Sequence, residues 1–523
     1  MHELSGWLLL IFASIAASIL AQFFPKISEN YVSMAVGAII ASIPFFNEML
    51  PEFEPEVFMI TIIAPLLFFE GQAMNLNRVG HKLKTILGIV VILVVISTVV
   101  TGFALSYITG VGLSLALVMA AISTPTDATA TESVSEGLQL PKSEKNMLKM
   151  EALFNDASGI ILLNATVLFL LRGEIDYSST IINFLFAAIG GALFGAIVAF
   201  IAIFFRQALI RLPFDNAVNA QIMLAVALPF IIYVLAEEIH VSGIIAVVCA
   251  GLLHNSEAQR SRFSDMQQFY LGNNIFSLVQ ELLNNAVFLI LGLNFVRIVM
   301  DEDVTFSSWI WITAGIVLYA LNLLVRYLYV LLIMKRSHRS ALIFSLGGVH
   351  GAVTLALVFM AASLGLSSNQ FNLVIMSESV MIILSMLVPS IVFWFILPKE
   401  EHDTGEKKKY RQEMVNRAIS EVKQMYLPEK VKQSVIYDLR DQNSETSLRQ
   451  FWQQWFYVSR RPAFSKVERS LEQQALLWSF YIEREYLAEL LEAGEVDSTD
   501  LYDLYNEVAL AEAMVLDPKN SFH

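Results

Sequence analysis

AISTPTDATATES, residues 121–133, lies inside an apolar block that runs from 112 to 135. A proline and a run of Thr and Ser interrupt what would otherwise be a membrane-spanning helix, and Asp127 stands within the interruption. A second break, SLGGVHGAV at 345–353, sets three glycines around His350 inside the apolar block 339–364. Backbone freed from helical hydrogen bonding at membrane depth is tolerated only where it lines a cavity or a binding site. The half-helix ends at such a break project partial charges into that site.

Working outward, thirteen apolar blocks can be read, at 6–24, 31–47, 56–74, 84–108, 112–135, 150–171, 179–205, 217–236, 241–254, 272–300, 307–334, 339–364 and 372–397. Most reach the roughly 20 residues that cross about 30 Å of hydrocarbon as a helix; the ninth is short. The first follows only His2 and Glu3, with no basic leader segment, and reads as a retained span. The two broken blocks are the fifth and the twelfth, and the sixth and thirteenth are again seven apart. Interrupted spans at matching places in two halves predict inverted repeats whose broken helices cross. The expected fold is therefore an all-α polytopic membrane protein of about thirteen spans over 1–398. A cytoplasmic helical domain, regulatory or dimer-stabilising, is expected to follow over 399–523.

Composition agrees. A chain of 523 residues with 56% hydrophobic and 16% charged residues, and a mean hydropathy of +0.60, is too apolar for a soluble domain. The net charge of −14 excludes a general nucleic-acid role, and Cys249 has no second cysteine with which to pair.

Loop charge sets the orientation. One set of loops carries Lys26, Arg78, Lys82, Lys84, Lys142, Lys145, Lys149, Arg206, Arg211, Arg260, Arg262, Lys335, Arg336 and Arg339; the other carries only Arg172 and Arg297. The second set is acidic, as in NEMLPEFEPE (47–56) and MDEDVTF (300–306). The basic set is expected on the cytoplasmic side of the inner (plasma) membrane, with the N-terminus outside and the C-terminus cytoplasmic. After 398 the composition changes to a charged linker, KEEHDTGEKKKYRQE (399–413), and helical apolar spacing, as in SKVERSLEQQALLWSFYIEREYLAELLEAG (465–494).

Ionisable groups inside the apolar blocks are functional candidates by default, because each costs at least about 2.5–3.5 kcal/mol at the bilayer centre. They are Glu70, Asp127, Glu132, Glu151, Asp156, Glu281, Arg326, His350 and Glu378. At about 1.5 Å per residue, Asp127, Asp156 and Arg326 all fall about 9–12 Å from the cytoplasmic face, and His350 a little deeper. Carboxylates, Thr and Ser hydroxyls and unwound carbonyls are the oxygen ligands that a hard monovalent cation needs. A proton and a cation competing for one buried carboxylate would constitute exchange.

STPTDA (123–128), EALFNDASGI (151–160), HVSGIIAVVCAGL (240–252), VRYLYV (325–330) and GGVHGAVTLAL (347–357) resemble the monovalent cation:proton antiporter family, which includes bacterial NhaP-type antiporters and animal sodium/proton exchangers. The resemblance covers 6–397 in order and stops before the tail. It implies that Asp156 is the carboxylate that alternately holds proton and cation, and that Asn155 supports it and marks the electroneutral branch. It implies further that Thr126 and Asp127 complete the Na+ site, that Glu151 and Arg326 form a structural ion pair, and that Glu70 lies beside the inner access route. The expected activity is Na+/H+ antiport, with Li+ or K+ as alternatives, in a homodimer that needs no cofactor and performs no enzymatic reaction.

This chain departs from the family at three positions. Ala152 stands where Ser is frequent, Ala128 where Pro is common, and His350 where Arg is usual. His350 is thereby either a pH sensor or a neutral packing histidine. Intramembrane aspartyl proteases also pair aspartates on adjacent spans, but with YD and GxGD, whereas TPT precedes Asp127 and LFN precedes Asp156 here. A serine hydrolase at Ser242 lacks a placed base. A cation channel would need filter loops that are not visible, and a cation-coupled symporter is the remaining transport alternative.

Overall fold

The computed structural model describes residues 2–24, 27–50, 54–74, 83–173, 177–210, 217–261, 266–300, 309–399, 404–441, 464–493 and 498–516. Lys26, Arg78, Lys82, Arg211, Arg262, the acidic stretch 301–306 and linker residues 400–403 lie outside them. The described residues contain helices and no strand. They form two compact units, Met1–Glu400 and Glu401–His523.

The first unit begins with α1 (His2–Ala21) and α2 (Glu29–Ser42). α3 joins Pro55–Phe58 through a π-turn, Met59–Ile63, to Ala64–Ala73; α4 joins Leu83–Leu87 through Gly88–Leu93 to Val94–Thr109. The fifth block is two helices, α5 (Leu113–Ile122) and α6 (Ala128–Val134). Then follow α7 (Lys142–Arg172), α8 (Tyr177–Ile210), α9 (Ala217–Glu238), α10 (Gly243–Ser261) and α11 (Met266–Met300). α12 runs over Ile310–Leu328 and continues through Tyr329–Ile333. The twelfth block is also split, into α13 (His338–Leu346) and α14 (Ala352–Ser363), and α15 (Ser368–Ile396) closes the unit. Both breaks therefore fall where Pro125 and the glycine cluster predict them. Eight of the described helices are long and apolar enough to cross a membrane, and four shorter apolar helices accompany them.

Local chemistry sets the helix ends. Gly110 and Gly173 take left-handed conformations, with φ of 74° and 76°, and terminate α4 and α7. Ser367 and Gln370 form a reciprocal capping box that starts α15 after the turn that leaves α14.

Two groups of helices pack within this unit. α1, α2, α3 and α8–α11 associate with one another, as do α4–α7 with α12–α15. Links cross between the groups near the first break: Asn30 Nδ2 of α2 donates to Ser133 Oγ and to the Thr129 carbonyl of α6. Tyr31 Oη pairs with Ser390 Oγ of α15 at 2.7 Å.

The second unit holds α16 (Thr404–Gln424), α17 (Glu429–Asp441), α18 (Lys466–Ala493) and α19 (Ser498–Leu516). Val415, Ala418, Val422, Val435, Leu487 and Leu504 share its apolar core, and Lys407–Asp503 and Arg417–Glu489 are ion pairs at its edge, both at 2.6 Å.

Candidate cation and proton site

The two unwound segments meet. The Asp127 N–H donates to the Val349 carbonyl at 2.8 Å, and Thr131 Oγ1 donates to the Gly347 carbonyl at 2.7 Å. His350 Nδ1 lies 2.7 Å from the Pro125 carbonyl; a carbonyl only accepts, so Nδ1 carries the proton. The His350 N–H donates to Ser385 Oγ of α15 at 3.0 Å. Backbone groups released by each break are thus satisfied by the other break and by α15, which explains how two interrupted helices persist in an apolar interior.

Asp127 begins α6 as its N-cap. Its Oδ1 accepts from the Thr129 N–H at 2.9 Å, the Ala130 N–H at 3.1 Å and Thr129 Oγ1 at 2.7 Å. The positive end of α6 therefore points at this carboxylate. Gly351 makes the approach possible, since a Cβ there would fall 2.1 Å from Asp127 Oδ2.

Asn155 and Asp156 face this crossing from α7, and both are buried. Asn155 Nδ2 donates to Thr126 Oγ1 at 2.9 Å, which ties α7 to the first break. That bond orients the amide and leaves Asn155 Oδ1 with no donor; Asp156 Oδ1 likewise has none among the described residues. Glu70 is also buried, on α3, which contacts α7. Glu70, on α3, belongs to the other group of helices, so the acidic cluster sits where the two groups meet. Two oxygens on consecutive residues with no donor among the described residues, beside a capped carboxylate, can coordinate a hard cation, and the Asp156 carboxylate can take up a proton instead.

Glu151, one turn before Asn155, pairs with Arg326 of α12 through both oxygens; Nη2–Oε2 is 2.9 Å, and Nη1 contacts Oε1. Arg326 also donates to the Phe344 carbonyl at 3.1 Å and lies 4.6 Å over the Phe344 ring. Gly348 leaves room for the guanidinium, since a Cβ there would fall 2.3 Å from its Cζ.

Two expected intramembrane charges belong elsewhere. The Glu132 side chain is 50% exposed and faces Lys149 at 3.7 Å and Lys145 at 4.0 Å. Glu281 is exposed on α11 and accepts from Ser18 Oγ at 3.1 Å. Position in a span sets depth but not helix face, so neither joins the cluster. Conversely, a buried chain of hydrogen bonds that reaches Ser123, at the first break, escaped the sequence reading. Ser97 Oγ donates to Asn322 Oδ1 at 2.7 Å, and Asn322 Nδ2 donates to Ser123 Oγ at 3.1 Å. Its signal is Asn322, an amide one turn before Arg326 in an apolar span.

Comparisons with known proteins place the chain in a family. The family model "Sodium/hydrogen exchanger, transmembrane" matches residues 9–398. The chain is 28% identical over 519 residues to a sodium, potassium, lithium and rubidium/H+ antiporter of Bacillus pumilus, covering 95% of this chain and 76% of that protein. It is also 28% identical over 520 residues to the uncharacterized Na+/H+ exchanger YjcE of Escherichia coli, covering 93% and 94% of the two chains. The fold is similar to that of the sodium proton antiporter MjNhaP1 from Methanocaldococcus jannaschii, with a TM-score of 0.57 and 19% identity over 75% of this chain and 97% of the other. The crossed breaks, the buried acidic cluster and a match over most of the chain lead to one assignment: this multi-pass membrane protein belongs to the sodium/hydrogen exchanger family, whose members are secondary transporters rather than enzymes.

Proposed function

We propose that the chain exchanges Na+ for H+ one for one, with Li+ or K+ as alternative cargo, by competition of proton and cation at Asp156. The observation that carries this reading is the pair of buried oxygens, Asp156 Oδ1 and Asn155 Oδ1, that no donor among the described residues satisfies. A carboxylate withdrawn from water gains by taking up either a proton or a cation, and it holds only one at a time. Thr126 and Asp127 complete the oxygen set from the unwound segment, Asn155 orients and supports it, and Glu70 lies on the inner approach.

Asp127 is held by three donors, and Glu151 is neutralised by Arg326. One free carrier carboxylate then gives an electroneutral cycle. His350 acts as a packing residue rather than as a pH sensor: it is buried, and its Nδ1 and backbone N–H tie the second break to Pro125 and to Ser385. α4, α5 and α7 pack on one another, as do α12, α13 and α15 at the matching places of the second half, which supports thirteen spans built from inverted repeats. In this reading the transporter is a homodimer in the inner (plasma) membrane, with its N-terminus outside. The unit after residue 400 is cytoplasmic and regulates exchange or stabilises the dimer.

The test is cation-induced proton release in vesicles reconstituted with the purified protein, run with NaCl, LiCl and KCl. Wild type should release protons with at least one of them. Asp156→Asn, which keeps the side-chain shape but carries neither proton nor net charge, should release none. Cation-dependent proton flux in purified Asp156→Asn would sink the carrier assignment.

A further inference from the structure

The exchange scheme leaves Glu378, a buried carboxyl of the membrane unit, without a task. Glu378 of α15 is fully buried, and among the described residues neither of its oxygens meets a hydrogen-bond donor. Most buried polar groups have a partner, so an orphaned carboxyl in a packed helix calls for an explanation.

No neighbouring charge explains it. α15 carries no other charged residue, and α5 and α14, packed against it, carry none. On α12, Arg326 is committed to Glu151. On α6, Glu132 is half exposed and faces Lys149, while Asp127 is capped by its own helix. On α13, His338 pairs with Tyr327 Oη and Arg339 reaches the Ile396 carbonyl at the far end of α15. On α11, Glu281 takes Ser18, and Arg297 donates to Asn47 Oδ1.

Other polar groups nearby are orphaned as well. Thr354 Oγ1 of α14, three residues past Gly351, is buried without a partner, and so is Tyr319 Oη of α12. α12 touches α15 at this level, since a Cβ on Gly315 would fall 2.5 Å from the Ser377 carbonyl. Ser385, which meets the His350 N–H at the crossing, is seven residues on from Glu378. Two helical turns put Glu378 on the same face of α15 and about 10 Å from the crossing. In the proposed orientation this is the outward side, whereas Glu70 lies on the inward side.

We propose that Glu378 is a second proton-binding carboxyl of the exchanger, which relays protons between the external medium and Asp156. The step balances without a co-reactant. The Glu378 carboxyl releases its proton toward the Asp156 carboxylate, and the resulting Glu378 carboxylate is refilled from outside. Hydroxyls such as those of Thr354 and Tyr319 can donate and accept in turn along the way. Glu378 returns to its starting state in each cycle, so the exchange stays one for one. This inference rests on Asp156 being the carrier.

The experiment compares wild type, Glu378→Gln and Glu378→Asp in reconstituted vesicles, with external pH varied at fixed internal pH and then the reverse. Glu378→Gln keeps the shape and removes the exchangeable proton. It should slow exchange about tenfold or more where external protons are scarce, and flatten the external pH profile. Apparent Na+ affinity from the inner side should stay within about twofold of wild type. Glu378→Asp, which keeps a titrating group, should recover part of the rate, and it alone decides the matter if the Gln variant does not fold. A Gln variant whose external profile superposes on that of wild type overturns the relay, as does an equal slowing at every pH on both sides. Wild type that exchanges no cation for protons would instead refute the proposed function itself.

Discussion

Removing one partner of the Glu151–Arg326 pair should unsettle the helix packing around the site more than removing both. Their side chains are 1% and 5% exposed, and the pair is bidentate, so each charge depends on the other for nearly all of its compensation. Breaking such a pair leaves an unpaired buried charge and costs about 3–5 kcal/mol, whereas replacing both charges is often close to neutral. Glu151→Gln and Arg326→Leu should therefore each lower the melting temperature of detergent-purified protein and its monodisperse yield. Arg326→Leu should cost the more, because it also loses the Phe344 carbonyl bond and the ring contact. The double variant should recover about 2–3 kcal/mol of the summed loss, within the range of coupling energies between contacting residues. Simple additivity of the two melting shifts would refute the claim that these residues act as a pair.

Four further outcomes follow. Gly351→Ala would drive a Cβ to 2.1 Å from Asp127 Oδ2 and should cut exchange about 10²-fold with little loss of folded yield, read as proton flux against yield; unchanged flux would show that Asp127 need not approach the second break. Burial pushes Glu483, in the core of the second unit, from the ordinary 4.5 up to about 8. Its contribution to stability is then fully present below about pH 4.5 and is lost as pH rises through about 8, at about 1.4 kcal/mol per unit, so hydrogen exchange of α18 (corrected for intrinsic rates) should speed up over that window in wild type and not in Glu483→Gln. Truncation after about residue 400 should leave exchange measurable but alter its set-point or dimer stability, because none of the site residues lies beyond α15; a stable, dimeric, wholly inactive truncation would contradict this. Clamping vesicles at different potentials should barely change the rate, whereas a cycle moving one net charge would respond with about 2.3 kcal/mol per 100 mV.

The breaks were legible because they rest on local chemistry. Pro125 cannot continue a helix, and the glycines at 348 and 351 admit Arg326 and Asp127, as Gly347 admits Leu148, where side chains would collide. Rise per residue predicts one layer for Asp127, Asp156 and Arg326. What sequence could not supply is the helix face and the long-range partner. Glu132 and Glu281 lie in apolar blocks, but their side chains are exposed on other helix faces. The contacts of Val349 with Asp127 and of Asn322 with Ser97 and Ser123 join segments about 200 residues apart, and they depend on how each helix is rotated about its axis. Glu378 stood out as a charge in an apolar span, but only the packing shows that nothing satisfies it.

The claim on which the rest depends is that proton and cation compete for Asp156. Its most direct test is the apparent Na+ affinity measured at several pH values, with both set on the same face of reconstituted vesicles. Competition at one carboxylate predicts that, on the acid side, each unit of lowered pH weakens apparent affinity about tenfold while the maximal rate at saturating Na+ stays constant. An apparent affinity that does not move with pH, with only the maximal rate falling, would place proton and cation at separate sites and contradict the account.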